Sequence, residues 1–264
     1  MPFLNVSGAT IYFESKGHGP HILLIHAGIA DSRMWENEFH SLAKQFHVTR
    51  FDLPGFGQSS FTGGTFSYTK LINKLLTHLS INQTHILAAS FGGKIALNFV
   101  LEHPERCLRL ALQSSAIGTW DFSQELQEYD EKEEQLLAQK RFEQAAELNY
   151  QTWILRDRNP ESLDPKLKKL VIDMQMAAFT RPEPPFSVEE EASMPPIPDR
   201  LSQLKLPVLV IIGENDVPDF QNISEFFNQT IVHSEKMVIP NAAHLANLEA
   251  PELINQLLIS FFHS

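Results

Sequence analysis

One cysteine, Cys107, stands in a chain of 264 residues, so no internal disulfide can form and a reducing compartment is the expected setting. Basic side chains are also scarce: 21 Lys and Arg face 32 Asp and Glu, a formal charge of −11. A nucleic-acid duplex and an anionic bilayer both reward Lys and Arg, so neither nucleic acid nor membrane is expected as a partner. No apolar run approaches the roughly 20 residues that a membrane span needs. Met1-Pro2-Phe3-Leu4-Asn5 lacks the basic and apolar segments of a signal peptide, which makes the cytoplasm the expected location. Eleven histidines are present, yet no pair has a zinc-type spacing such as H-E-x-x-H, so no metal and no cofactor are implied. Internal repeats and low-complexity tracts are absent.

What is there suits a globular protein: 43% hydrophobic and 20% charged residues, long enough for one large α/β domain or a domain with an insertion. Phe3 to Glu14 reads as a hairpin turning at Asn5-Val6-Ser7-Gly8. Short apolar strands follow at His21–Ile25 and His47–Phe51, with a helix expected between them from Asp31 to Phe46. Thr69–Ser80 is the next helix. A strand at Leu108–Gln113 comes after it, and Cys107 at its start reads as a buried structural thiol. From about Thr119 to Asp199 the alternation of strand and helix stops. Two or three helices are expected there, with Arg181-Pro182-Glu183-Pro184-Pro185 and Pro195-Pro196-Ile197-Pro198 breaking the chain back out. Strands resume at Pro207–Gly213 and Lys236–Pro240, and a last helix runs from Pro251 to Phe262.

The stretch from Thr84 to Leu97 organises the rest. Ile86-Leu87-Ala88 is a buried strand, small residues surround Ser90, and helical periodicity begins at Ile95. Ala88 and Gly92, two places either side of Ser90, lie where bulk would collide as strand and helix close together. Gly93-Lys94 also suggests a phosphate loop, G-x-x-x-x-G-K-[ST]. Ala88 stands where that motif needs its first glycine, and Ile95 where it needs a hydroxyl. A serine in an ordinary strand-to-helix turn is the plain alternative.

The Ser90 turn resembles the nucleophile turn of the α/β-hydrolases, usually G-x-S-x-G, with Ala88 replacing the first glycine. Asp52-Leu53-Pro54-Gly55-Phe56-Gly57-Gln58-Ser59 matches the family's D-x-x-G-x-G-x-S loop. A dinucleotide reading of that loop is weak, because Ser60 occupies the final glycine position. His26-Ala27-Gly28 stands where the family has H-G-x. His26 is expected to tie the loop, and Gly28 to turn its N–H toward the serine. Gly213-Glu214-Asn215-Asp216 matches the family's strand-end acid, and Asn241-Ala242-Ala243-His244 its histidine loop. Glu214 and Asp219 are rivals to Asp216 for the acid.

The resemblance implies a mostly parallel sheet flanked by helices, with residues 1–118 and 200–264 as the α/β-hydrolase core and 119–199 as an inserted helical lid. An extension of the core by the same helices is the plainer alternative. It also implies a catalytic triad of Ser90, Asp216 and His244, and an oxyanion hole from the backbone of Gly28 and Phe91. Ile29, Trp120, Trp153 and Leu245 are expected to bind a small-molecule substrate, with Met174, Met176 and Phe179 as further candidates on the lid. Serine rather than aspartate at position 90 argues against the dehalogenase and epoxide-hydrolase branches. Hydrolysis of a carboxylic ester through an acyl-enzyme leads. The same triad also serves carbon–carbon bond hydrolysis, lactone opening or perhydrolysis, and the fold also serves as a non-enzymatic small-molecule receptor.

Overall fold

The computed structural model describes residues 2–264 apart from 183, 185 and 192–196. Among the described residues the chain opens with β1 (Phe3–Val6) and β2 (Ala9–Lys16), an antiparallel hairpin turning at Ser7-Gly8. β3 (His21–Ile25) and β4 (His47–Phe51) flank α1 (Glu36–Leu42). The single helix expected from Asp31 to Phe46 is instead a 3-10 turn, Ser32–Trp35, leading into the shorter α1. Asp31 caps that turn by accepting from the Arg33 N–H, which fixes where it starts. β5 (Ser60–Phe61) and β6 (Gly64–Phe66) precede α2 (Tyr68–His78), and then come β7 (Thr84–Ala89), α3 (Phe91–Glu102) and β8 (Cys107–Gln113).

Three helices follow: α4 (Gln124–Ala138), α5 (Phe142–Asn149), which runs on into a π-helical turn over Tyr150–Leu155, and α6 (Pro165–Phe179). Beside the expected helices this region also holds β9 (Val188–Glu190), which pairs with β6 in a small parallel ladder. Of the expected chain breaks, Glu183, Pro185, Pro195 and Pro196 lie outside the described residues. The chain ends with β10 (Val208–Gly213), α7 (Pro218–Thr230), β11 (Ser234–Ile239), a short α8 (Ala246–Glu249) and α9 (Pro251–His263).

The large sheet runs β1-β2-β4-β3-β7-β8-β10-β11, with β5 paired to β2. From β4 to β11 every neighbouring pair is parallel. β3 shows why its sequence is unbroken Ile-Leu-Leu-Ile. Ile22 and Leu24 enter the core layer shared with α1 and α9, while Leu23 and Ile25 enter the one shared with α2 and α3. A strand covered on both faces has no polar side to alternate. Because these strands are parallel, the loops after β3, β7, β10 and β11 emerge along one edge.

Candidate active site

Ser90 links β7 to α3 with φ 51° and ψ −119°, a conformation that side chains other than glycine rarely adopt. The turn is held from below: the Ser90 N–H donates to the Gln113 carbonyl at 3.0 Å, and the Ser90 carbonyl accepts from Ala116 N–H, also at 3.0 Å. Gly92 is required next to it. A Cβ there would lie 2.4 Å from the His26 carbonyl oxygen and 2.7 Å from that of Ile25, so any side chain would push α3 off β3. Strain at the serine and close approach of the helix are two sides of one arrangement, which lifts the hydroxyl above the strand ends.

Asp216 follows β10 and His244 follows β11. Their loops are drawn together at Gly213, where a Cβ would lie 2.2 Å from the Ala243 carbonyl oxygen. His244 Nδ1 is 2.9 and 3.1 Å from the two carboxylate oxygens of Asp216, and both side chains are buried. A carboxylate only accepts, so the proton sits on Nδ1 and Nε2 keeps its lone pair. The Phe220 ring meets the imidazole edge-on, at 4.6 Å between centroids, and Trp153 lies equally close from the helical segment. The His244 N–H also donates to the Trp153 carbonyl at 3.1 Å.

The two rivals to Asp216 are engaged elsewhere. Asp219 accepts from the Ser123 N–H and hydroxyl at 2.8 and 2.6 Å, tying the start of α4 to α7. Glu214 accepts from the Asn241 N–H at 2.8 Å. His26 takes a hydrogen bond from the Leu53 N–H on Nε2 at 2.9 Å and donates from Nδ1 to the Ala27 carbonyl at 2.8 Å. It therefore ties two loops as a neutral ring, and burial holds its pKa below the usual histidine value. Asp52 accepts from the Ser32 and Gln58 N–H groups, 2.8 and 2.7 Å away, closing the glycine loop around itself. Burial pushes the Cys107 thiol far above its ordinary range, which suits a structural role.

Ser90 and His244 open onto one cavity of about 610 Å³, roofed by α4, the π-helical turn and α6. The His244 ring bonds to Asp216 alone, and no hydrogen bond joins it to the Ser90 hydroxyl. Gly28 and Phe91, the two expected backbone donors, line the same cavity. Phe91 is the first residue of α3, so its N–H has no partner within the helix. Ile29 and Trp153 also line it, as do Phe56 and Phe179.

Trp120 and Leu245 do not, which corrects their expected place in the pocket. Thr119, at φ 60°, turns the chain so that the Trp120 ring packs on Phe226 of α7. Leu245 enters the core at the start of α8. Met174 is likewise buried in the core. Among the cavity residues that sequence reading missed are Leu126, Asp130, Glu133 and Leu137 of α4, with Gln175 of α6. The α4 positions fall at i, i+4, i+7 and i+11, one helical stripe. Two of them are acids, so a search for apolar residues passes over the stripe.

Among the described residues no cluster of His, Cys, Asp and Glu could hold a metal ion, and no helix is long and apolar enough to cross a membrane. The family model of the alpha/beta hydrolase fold matches residues 20–251, and the chain belongs to that family. A carboxylesterase of Bacillus subtilis (strain 168), YbfK, is 25% identical over 92% of this chain and 80% of its own length. A pimeloyl-[acyl-carrier protein] methyl ester esterase of Nitrosospira multiformis is 26% identical over 92% of this chain and 94% of its own. The solved structure of a hydrolase from Pseudomonas aeruginosa PA01 superposes with a TM-score of 0.81 at 23% identity, covering 99% of this chain and 98% of that one, a likeness of fold.

Proposed function

We propose that the protein is a serine hydrolase that cleaves a carboxylic ester through an acyl-enzyme, with Ser90 as nucleophile, His244 as base and Asp216 as its orienting acid. The observation that carries this reading is the His244–Asp216 hydrogen bond beside a strained serine on the wall of the same cavity. A serine hydroxyl is a weak nucleophile near neutrality and needs a base whose tautomer is fixed. Asp216 supplies that by holding the proton on Nδ1, leaving Nε2 to take the Ser90 proton as the hydroxyl attacks the carbonyl. Negative charge then forms on the substrate oxygen, and the Gly28 and Phe91 N–H groups stabilise it. One such donor is worth about 10²–10³ in rate. His244 returns the proton to the leaving alcohol, and water cleaves the acyl-enzyme by the same steps in reverse order. The relatives named as carboxylesterase and methyl ester esterase support ester chemistry over the other reactions open to this triad.

In this reading residues 119–199 are a lid over the site. It is fastened beside the histidine by the His244–Trp153 backbone bond and by Arg158, which pairs with Glu249 at 2.6 Å. The test is turnover of p-nitrophenyl butyrate. The wild type should hydrolyse it and Ser90→Ala should fall to the uncatalysed rate. Wild-type turnover no faster than that of Ser90→Ala, with the ester still stabilising the fold, would favour a receptor instead.

A further inference from the structure

The cavity has an uneven charge. Apart from His244, the only ionisable groups that commonly carry charge on its wall are the carboxyls of Asp130 and Glu133, and no Lys or Arg lines it. The residues outside the described set include no Lys or Arg either. α4, which carries both acids, has six carboxylates and one lysine, so the roof sits in a negative field. Burial, before any neighbouring charge, holds both carboxyls above their ordinary range. Glu133 is kept in place by the Asn149 side chain, which donates to it at 2.6 Å. The rest of the wall is rich in aromatic faces: Phe122, Tyr129, Trp153 and Phe220. Trp153 packs edge-on against Tyr129 at 5.3 Å between ring centroids, so the two rings hold one corner of the wall together.

Aromatic faces attract cations through the ring quadrupole, and carboxylates beside them add direct charge attraction. We propose that this cavity selects an ester whose end remote from the scissile carbonyl is a substituted ammonium cation, and disfavours one that ends in a carboxylate. The proposal rests on the hydrolase reading of the site. In it Asp130 and Glu133 are specificity residues that meet the cation, and the triad acts on the carbonyl at the floor. A carboxylate tail would have to enter against two like charges with no base to pair with it.

The test separates this proposal from the hydrolase reading by measuring binding without turnover. Tryptophan fluorescence titrations would compare octyltrimethylammonium with octanoate, chains matched in length and opposite in charge. The wild type should bind the cation at least tenfold more tightly. Asp130→Asn/Glu133→Gln, which keeps the shape and one acceptor oxygen on each side chain, should reduce that preference to under threefold. Either single variant should reduce it in part if the double variant does not fold. Glu128→Gln/Glu131→Gln, which removes the same charge from α4 positions that do not line the cavity, should leave it intact. Equal binding of the two chains, a preference for octanoate, or equal loss in both double variants would overturn the proposal. Fluorophosphonate labelling of Ser90 is measured beside these titrations. Its loss would count against the hydrolase reading, whichever way the affinities fall.

Discussion

Three acids within six positions, Glu214, Asp216 and Asp219, have three uses, and the structure separates them by what each one accepts from. Only Asp216 reaches the His244 ring. Asp216→Asn should therefore lower kcat for an ester by about 10⁴-fold, because the amide no longer fixes the tautomer. Asp219→Asn should leave kcat within tenfold and instead lower the melting temperature, since it loosens the Ser123 contact. A steady-state comparison of the two variants checks this. A second residue-scale consequence concerns Glu38, fully buried on α1 with one carboxyl oxygen unpartnered and the other accepting from Asn247 at 3.1 Å. Burial raises its pKa from 4.5 to about 8. Between those values the folded protein keeps a proton that the unfolded chain has released, so this group makes stability fall as pH rises through that window. Glu38→Gln should match the wild type near pH 4.5 and gain by up to about 1.4 kcal/mol per pH unit as far as pH 8. Urea midpoints at pH 5 and pH 8 test the sign; a gap that does not widen with pH would contradict it. The buried His21 and His85, lowered to about 3 and about 4, act oppositely, withdrawing stability as pH falls below 6.5 in both proteins alike.

At the scale of elements, the nucleophile turn depends on backbone approach rather than on side-chain contacts. Gly92→Ala places a methyl group against two main-chain oxygens that cannot rotate away. The expected loss is about 1–3 kcal/mol of stability, with a fall in ester turnover, because α3 carries the Phe91 N–H. Calorimetry and kinetics on the same sample would show both; unchanged values would mean that the helix seats without the close contact. Elements of this kind were legible in the letters because each local requirement points the same way. Small residues around Ser90, unbroken apolar strands, and turn residues after β10 and β11 agree with one architecture. The β6–β9 ladder was not legible. Gly64-Thr65-Phe66 and Val188-Glu189-Glu190 are three residues each, show no alternation, and pair across more than a hundred positions. The pocket was half legible for a similar reason. Trp153 and Ile29 lie where the pattern suggests, but Trp120 is redirected by one left-handed residue, and the α4 stripe is disguised by its two acids.

For the molecule as a whole, the parallel sheet gathers loops from distant parts of the chain along one edge, and membership of the alpha/beta hydrolase fold family agrees with that topology. The segment 119–199 contributes much of the cavity wall. It is tied to the core by Ser123–Asp219, by Arg158–Glu249, and by Arg181, which donates to the Ser59 and Gly57 carbonyls of the glycine loop. A chain with a net charge of −11 and an acidic roof over its cavity presents a negative field to anything approaching it. In the proposed reaction a hydroxyl on the β7–α3 turn, the imidazole after β11 and the carboxylate after β10 act as one chemical unit. Peptide mass mapping after brief exposure to a fluorophosphonate tests it most directly. One adduct is expected, on Ser90, formed far more slowly in His244→Ala. An adduct on another residue, or one on Ser90 whose rate ignores the loss of His244, would contradict it.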